Sequence, residues 1–95
     1  MAYRLSPLAE RDIYQIMSYI ALRNPRAALR WQIEIYATFD FLAAMPGAGT
    51  QRQSDRLNVS MFPKDGYLIF YQINETNIDI LRVLHAARDW PKLVR

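Results

Sequence analysis

Leu8, Ile13, Ile16, Met17 and Ile20 recur at helical spacing, which predicts a helix with one buried face. Ser6 followed by Pro7 marks its start: a hydroxyl to accept a free backbone N–H, then a residue with no N–H to leave unpaired. Glu10 and Asp12 lie near that end and Arg23 near the other, as the helix dipole favours. Ahead of the cap, Ala2 to Leu5 suits one short strand. Asn24-Pro25 repeats the punctuation, because the residue before proline leaves the helical region and asparagine caps a second helix. The two helices therefore form a hairpin. The second carries Trp31, Ile35, Phe39 and Leu42 on one stripe and Leu29, Ile33 and Tyr36 on a neighbouring one. That is more apolar surface than packing on a sheet requires, so part of it is expected to await a partner.

Met45-Pro46-Gly47-Ala48-Gly49 stops the second helix, and Thr50 to Asn58 has no hydrophobic period and reads as a loop. Three runs rich in Val, Ile, Phe and Tyr follow, Val59 to Phe62, Tyr67 to Ile73 and Ile78 to His85. Lys64-Asp65-Gly66 and Asn74-Glu75-Thr76-Asn77 separate them as hairpin turns. The pattern predicts an α+β fold: a short N-terminal strand, an antiparallel helical hairpin, then a three-stranded antiparallel meander. With helices on one sheet face, function is sought on the open one. Strict alternation on the last strand puts Ile78, Ile80, Arg82 and Leu84 on one face and Asp79, Leu81, Val83 and His85 on the other. Both faces are largely apolar, so this strand is central, and Arg82 inside it must meet a carboxylate, carbonyls or a bound anion. A structural ion pair and a functional role both satisfy that requirement.

At 95 residues the chain has room for one domain, 1–95, with a modest core. It has no cysteine, which removes disulfides and thiolate metal sites. Its first residues lack the basic and apolar regions of a secretory signal. No run approaches the roughly 18 apolar residues of a membrane span, so a soluble cytoplasmic protein is expected. The net charge is +3, and ten of the twelve basic residues are arginine. Arginine binds carboxylates and phosphates equally well, so charge alone does not choose a partner.

Gly-rich phosphate loops, metal-ligand clusters and a Gly-x-Ser-x-Gly elbow are all missing. His85 is the sole histidine, and nothing marks a serine as its nucleophile. No catalytic residue, metal or cofactor is therefore expected. His85 reads as a hydrogen-bonded structural histidine or as a contact residue at a strand end. Arg88 and Trp90 follow it, the pairing enriched at binding hot spots, although Trp90 could equally pack the tail. Arg52, Arg56 and Lys64 form a loose basic group, either solvated or turned to phosphates or acidic side chains.

These residues resemble a known family. Tyr67-Leu68-Ile69-Phe70-Tyr71, a polar turn, then Ile78-Asp79-Ile80-Leu81-Arg82-Val83-Leu84-His85-Ala86-Ala87-Arg88-Asp89-Trp90 is similar to the C-terminal signature of ParE toxins. Leu5-Ser6-Pro7 with Ala9 and Asp12, and Leu42 with Met45-Pro46 and Gly49, resemble the family's first helix start and second helix end. The resemblance implies a toxin of the RelE/ParE superfamily that binds and inhibits DNA gyrase. It implies a ParD-like antitoxin, whose ribbon-helix-helix part supplies the only DNA contact and whose C-terminal segment wraps the toxin. The target-facing candidates are Arg82, His85, Arg88 and Trp90. The antitoxin-facing candidates are Trp31, Ile35 and Phe39 on the second helix, with Arg52 and Arg56. The sister RelE branch cuts messenger RNA on the ribosome with basic and aromatic side chains. Here the middle strand of the meander carries Gln72 and no arginine, which thins that set, although His85 and Arg88 keep the ribonuclease as an alternative. An inactive, antitoxin-binding module is the remaining one.

Overall fold

The structure, a computed structural model, describes residues 2–53 and 58–87. Strand β1 (Ala2–Leu5) leads into helices α1 (Pro7–Arg23) and α2 (Pro25–Ala44), then a 3-10 turn at Pro46–Ala48. Strands β2 (Thr50–Gln53), β3 (Asn58–Lys64), β4 (Tyr67–Ile73) and β5 (Asn77–His85) complete one sheet of order β1-β5-β4-β3-β2. All neighbours are antiparallel except β1, which runs parallel to β5, a pairing that needs a long connection and here spans both helices and β2 to β4.

The helix starts are the ones the punctuation predicts. Ser6 Oγ accepts the Ala9 N–H at 3.0 Å, and Asn24 Oδ1 accepts the Ala27 N–H at 3.1 Å. Asn24 also closes α1, its own N–H donating to Ile20 O at 2.9 Å. The β3–β4 turn has φ of 49° at Asp65 and 84° at Gly66, the left-handed pair that matches the twist of a tight hairpin.

Two expectations need correction. Thr50–Gln53 is not loop: it pairs with Met61 to Asn58 of β3 and extends the sheet to five strands. Its sequence, Thr-Gln-Arg-Gln, carries no apolar alternation because an edge strand is held by backbone bonds more than by burial. β5 also departs from strict alternation. Phe70 pairs with Arg82 but Tyr71 pairs with Ile80, so Leu81 is an extra residue at a bulge. The bulge breaks strict alternation. Ile78, Ile80 and Val83 join Ile35, Phe39, Leu42 and Tyr71 in the core beneath the helices. Leu81 and Leu84 instead pack with Val59, Met61, Leu68 and Phe70 on the far face. That far face, expected to be the open functional surface, is a second apolar cluster in which Phe70 and Leu84 are almost wholly buried.

Candidate functional site

β1 pairs with β5 only as far as Leu5 opposite Ile80, so beyond Ile80 that side of β5 needs another partner. The start of α1 supplies it. Ser6 N–H donates to Ile80 O at 2.9 Å, and Ser6 Oγ donates to Leu81 O at 2.8 Å. Nearly two turns on, Asp12 Oδ2 accepts the Val83 N–H at 3.0 Å. The same carboxylate takes a two-pronged ion pair from Arg82, Nε at 2.8 Å and a terminal nitrogen at 3.0 Å. The bulge residues are thus satisfied by α1. The hydrogen bond from Arg82 to Asp12 raises the guanidinium pKa further above its ordinary range, outweighing the opposing effect of burial.

Beside this lock, α1 and the ends of β4 and β5 enclose a cleft of about 290 Å³ lined by Gln15, Tyr19, Tyr67 and His85 over Asp12 and Val83. Tyr67 opens β4 directly opposite His85, which ends β5, and the two rings meet edge to face at 5.3 Å. Trp31 packs against the same tyrosine at 5.6 Å. Arg23 lies over the Tyr19 ring at 5.3 Å, a cation–π contact one helical turn long. Burial raises the Tyr67 pKa, with a smaller push from Tyr19, so its hydroxyl stays protonated. His85 Nδ1 accepts the Ala87 N–H at 3.2 Å, so the neutral ring carries its proton on Nε2. The cleft therefore offers hydroxyl, amide and imidazole groups. Arg82, the guanidinium that bridges to Asp12 in its lining, is already neutralised.

The antitoxin-facing candidates on α2 are not on the surface. Trp31 is 8% exposed, and Ile35 and Phe39 are wholly buried, because the stripe they form is the one that packs on the sheet. The outward apolar surface is two members of the neighbouring stripe, Leu29 59% and Ile33 70% exposed, whereas its third, Tyr36, is half-buried against Phe39 and the core. Leu29 and Ala28 meet Tyr14, Met17 and Ala21 of α1 in an apolar groove along the outside of the helical hairpin. Arg52 belongs to β2 by its backbone; Arg56, Arg88 and Trp90 lie outside the described residues. Among the described residues no cluster of metal-ligating side chains occurs, and no helix is long and apolar enough to cross a membrane.

Sequence reasoning missed Tyr19, Gln15 and Tyr67 as neighbours of His85. Tyr67 was within reach, since a tight β4–β5 hairpin sets the first residue of one strand against the last of the next. Tyr19 and Gln15 needed the placement of α1.

The sequence model described as "ParE toxin of type II toxin-antitoxin system, parDE" matches residues 3–90. The chain belongs to the ParE toxin family. It is 30% identical over 86 residues to "Putative toxin Y4kP" of Sinorhizobium fredii, covering 90% of this chain and 88% of that one. It is 26% identical over 83 residues to Toxin RelE1 of Caulobacter vibrioides, covering 86% and 89%. In fold it is similar to a solved chain of a chromosomal ParDE system from P. aeruginosa, with a TM-score of 0.75 at 19% identity, over 90% of this chain and 95% of that one. The ParE-family toxin thus has its α1–β5 lock and its hairpin groove on the family's α+β frame.

Proposed function

We infer that this toxin inhibits DNA gyrase in the cytoplasm by direct binding, with no catalytic residue or cofactor of its own, and is neutralised by a ParD-like ribbon-helix-helix antitoxin. Membership of the ParE family supports the reading of the target. The observation that carries the choice of binding over cleavage is the state of Arg82. Phosphoryl transfer needs cationic groups free to meet charge that builds on phosphate oxygens. Arg82 is held by both oxygens of Asp12, and releasing it would strand a carboxylate that is 8% exposed. The cleft would then have to act through His85 and two tyrosines.

A supercoiling assay with purified gyrase tests the reading. Toxin in molar excess is expected to block supercoiling and accumulate cleaved DNA; unchanged supercoiling with no cleavage defeats it. The His85 tautomer, with a proton on Nε2 beside Tyr19 and Tyr67, favours the ribonuclease as the second reading. Primer extension on a translated message separates the two, because only a ribonuclease leaves toxin-dependent cuts. Growth unaffected by soluble toxin would point to an inactive module.

The groove between the helices is the surface we assign to the antitoxin. Its exposed Tyr14 and Leu29, continued by Ile33, fit the apolar face of an amphipathic helix. The outer edges of β1 and β2, unpaired among the described residues, suit an extended segment of the same partner.

A further inference from the structure

A second cleft lies between α2 and the β3–β4 turn, apart from both the His85 cleft and the hairpin groove. Its lining includes Phe41 of α2 and Phe62 of β3, a tilted aromatic pair in contact, with ring centroids 5.8 Å apart and planes 51° to one another. Phe41 is 43% exposed and Phe62 is only partly buried, so the pair presents ring surface to whatever enters. Glu34 lies two helical turns before Phe41 and lines the same cleft. Among the described residues its carboxylate has no hydrogen bond and no ion pair. Asp65 at the turn is already paired with Lys64 at 3.2 Å. The lining therefore holds one unneutralised negative charge on a protein whose formal charge is +3.

Two aromatic rings set at an angle, with a carboxylate beside them, select among occupants. The ring faces attract a cation through their quadrupole, and the aliphatic stem of a basic side chain covers apolar surface on the way in. A purely apolar plug would strip water from Glu34 and give it no partner, and an acidic one would be repelled. A planar guanidinium also stacks on rings and forks to a carboxylate, which an ammonium does less well.

We propose that this cleft seats a basic side chain of a protein partner, arginine in preference to lysine, against the exposed surface of the Phe41–Phe62 pair and beside Glu34. The assignment is independent of which protein the toxin inhibits.

The test is an NMR titration of the full chain with acetyl-glycyl-arginyl-glycine amide, set against the same peptide carrying citrulline, which keeps the shape and removes the charge. The arginine peptide is expected to give saturable shifts at the Phe41 and Phe62 rings and at Glu34, with the citrulline peptide weaker by about two- to fivefold. Phe41→Leu keeps an apolar side chain without the ring, Glu34→Gln keeps the shape without the charge, and each is expected to weaken binding by up to about fivefold. Near-ultraviolet circular dichroism checks that both stay folded. Equal shifts from both peptides overturn the proposal, as do shifts unchanged by both substitutions or the lack of any saturable shift at the two rings.

Discussion

Asp12 shows how much one carboxylate can specify. It accepts the Val83 N–H on the side of β5 where β1 has ended, neutralises Arg82 and ties the first helix to the last strand, a separation of 70 residues or more. Removing one member of such a buried pair leaves the other charge uncompensated, which costs about 3–5 kcal/mol. Asp12→Ala is expected to lose that much in urea unfolding, and adding Arg82→Met should recover a large part of it. A loss below about 1 kcal/mol would place the pair among ordinary surface ion pairs. Arg82 and two tyrosines share the sign of their pH dependence, stability being lost as pH rises, but differ in the window where that happens. The hydrogen bond to Asp12 raises the folded-state pKa of Arg82 above the ordinary guanidinium range, so its contribution is complete below that range and is lost only in strong alkali, as pH climbs through the raised value. Tyr3 and Tyr67 are raised above 10.0, each first by burial, Tyr3 then by Asp40 and Tyr67 then by Tyr19. Their neutral forms are favoured in the folded state, so stability is full below pH 10 and falls as pH rises through the folded values. Unfolding curves recorded between pH 9 and 11 should show that decline, smaller in Tyr67→Phe.

Each element depends on contacts that close its ends. The chain leaving α2 is fixed by the wholly buried Tyr71, whose hydroxyl donates to Pro46 O at 2.6 Å and accepts the Gly49 N–H at 3.0 Å. Gly49 is required by approach: a Cβ there would come within 2.5 Å of that hydroxyl oxygen and 2.9 Å of Met61 O. Tyr71→Phe strands two backbone groups and is expected to cost about 1–3 kcal/mol. Gly49→Ala is expected to cost a similar amount by overpacking. Thermal unfolding of the double variant should fall short of the sum, since Phe removes one of the two clashes. The helix caps at Ser6 and Asn24 were legible because a cap is a local bond between residues three apart. β2 was not, because its sequence holds no pattern that a loop would lack. The Leu81 bulge was hidden for a different reason: its donors and acceptors are answered by Ser6 and Asp12, far away in sequence.

At the scale of the whole molecule, the two apolar stripes of α2 have opposite duties. Phe39→Ala is expected to cost about 3–5 kcal/mol in stability, and it would weaken antitoxin binding only through unfolding. Leu29→Asp and Ile33→Asp leave the core alone. In isothermal titration against the antitoxin each is expected to lower affinity by about tenfold or more. Wild-type affinity in both variants would move the antitoxin to another surface. By itself the sequence determined the order of elements, the helix caps, the β3–β4 and β4–β5 hairpins and the family, because these rest on local backbone preference and on residues read in order. It also determined that α2 carries two apolar stripes. Only the tertiary structure decided which stripe is core, that Arg82 is neutralised by Asp12, and that His85 shares a cleft with Tyr19 and Tyr67. The physical reason is that helical and strand periods mark a face as apolar without saying what lies against it. Where a strand slips by one residue at a bulge, even the face depends on a partner supplied from the other end of the chain.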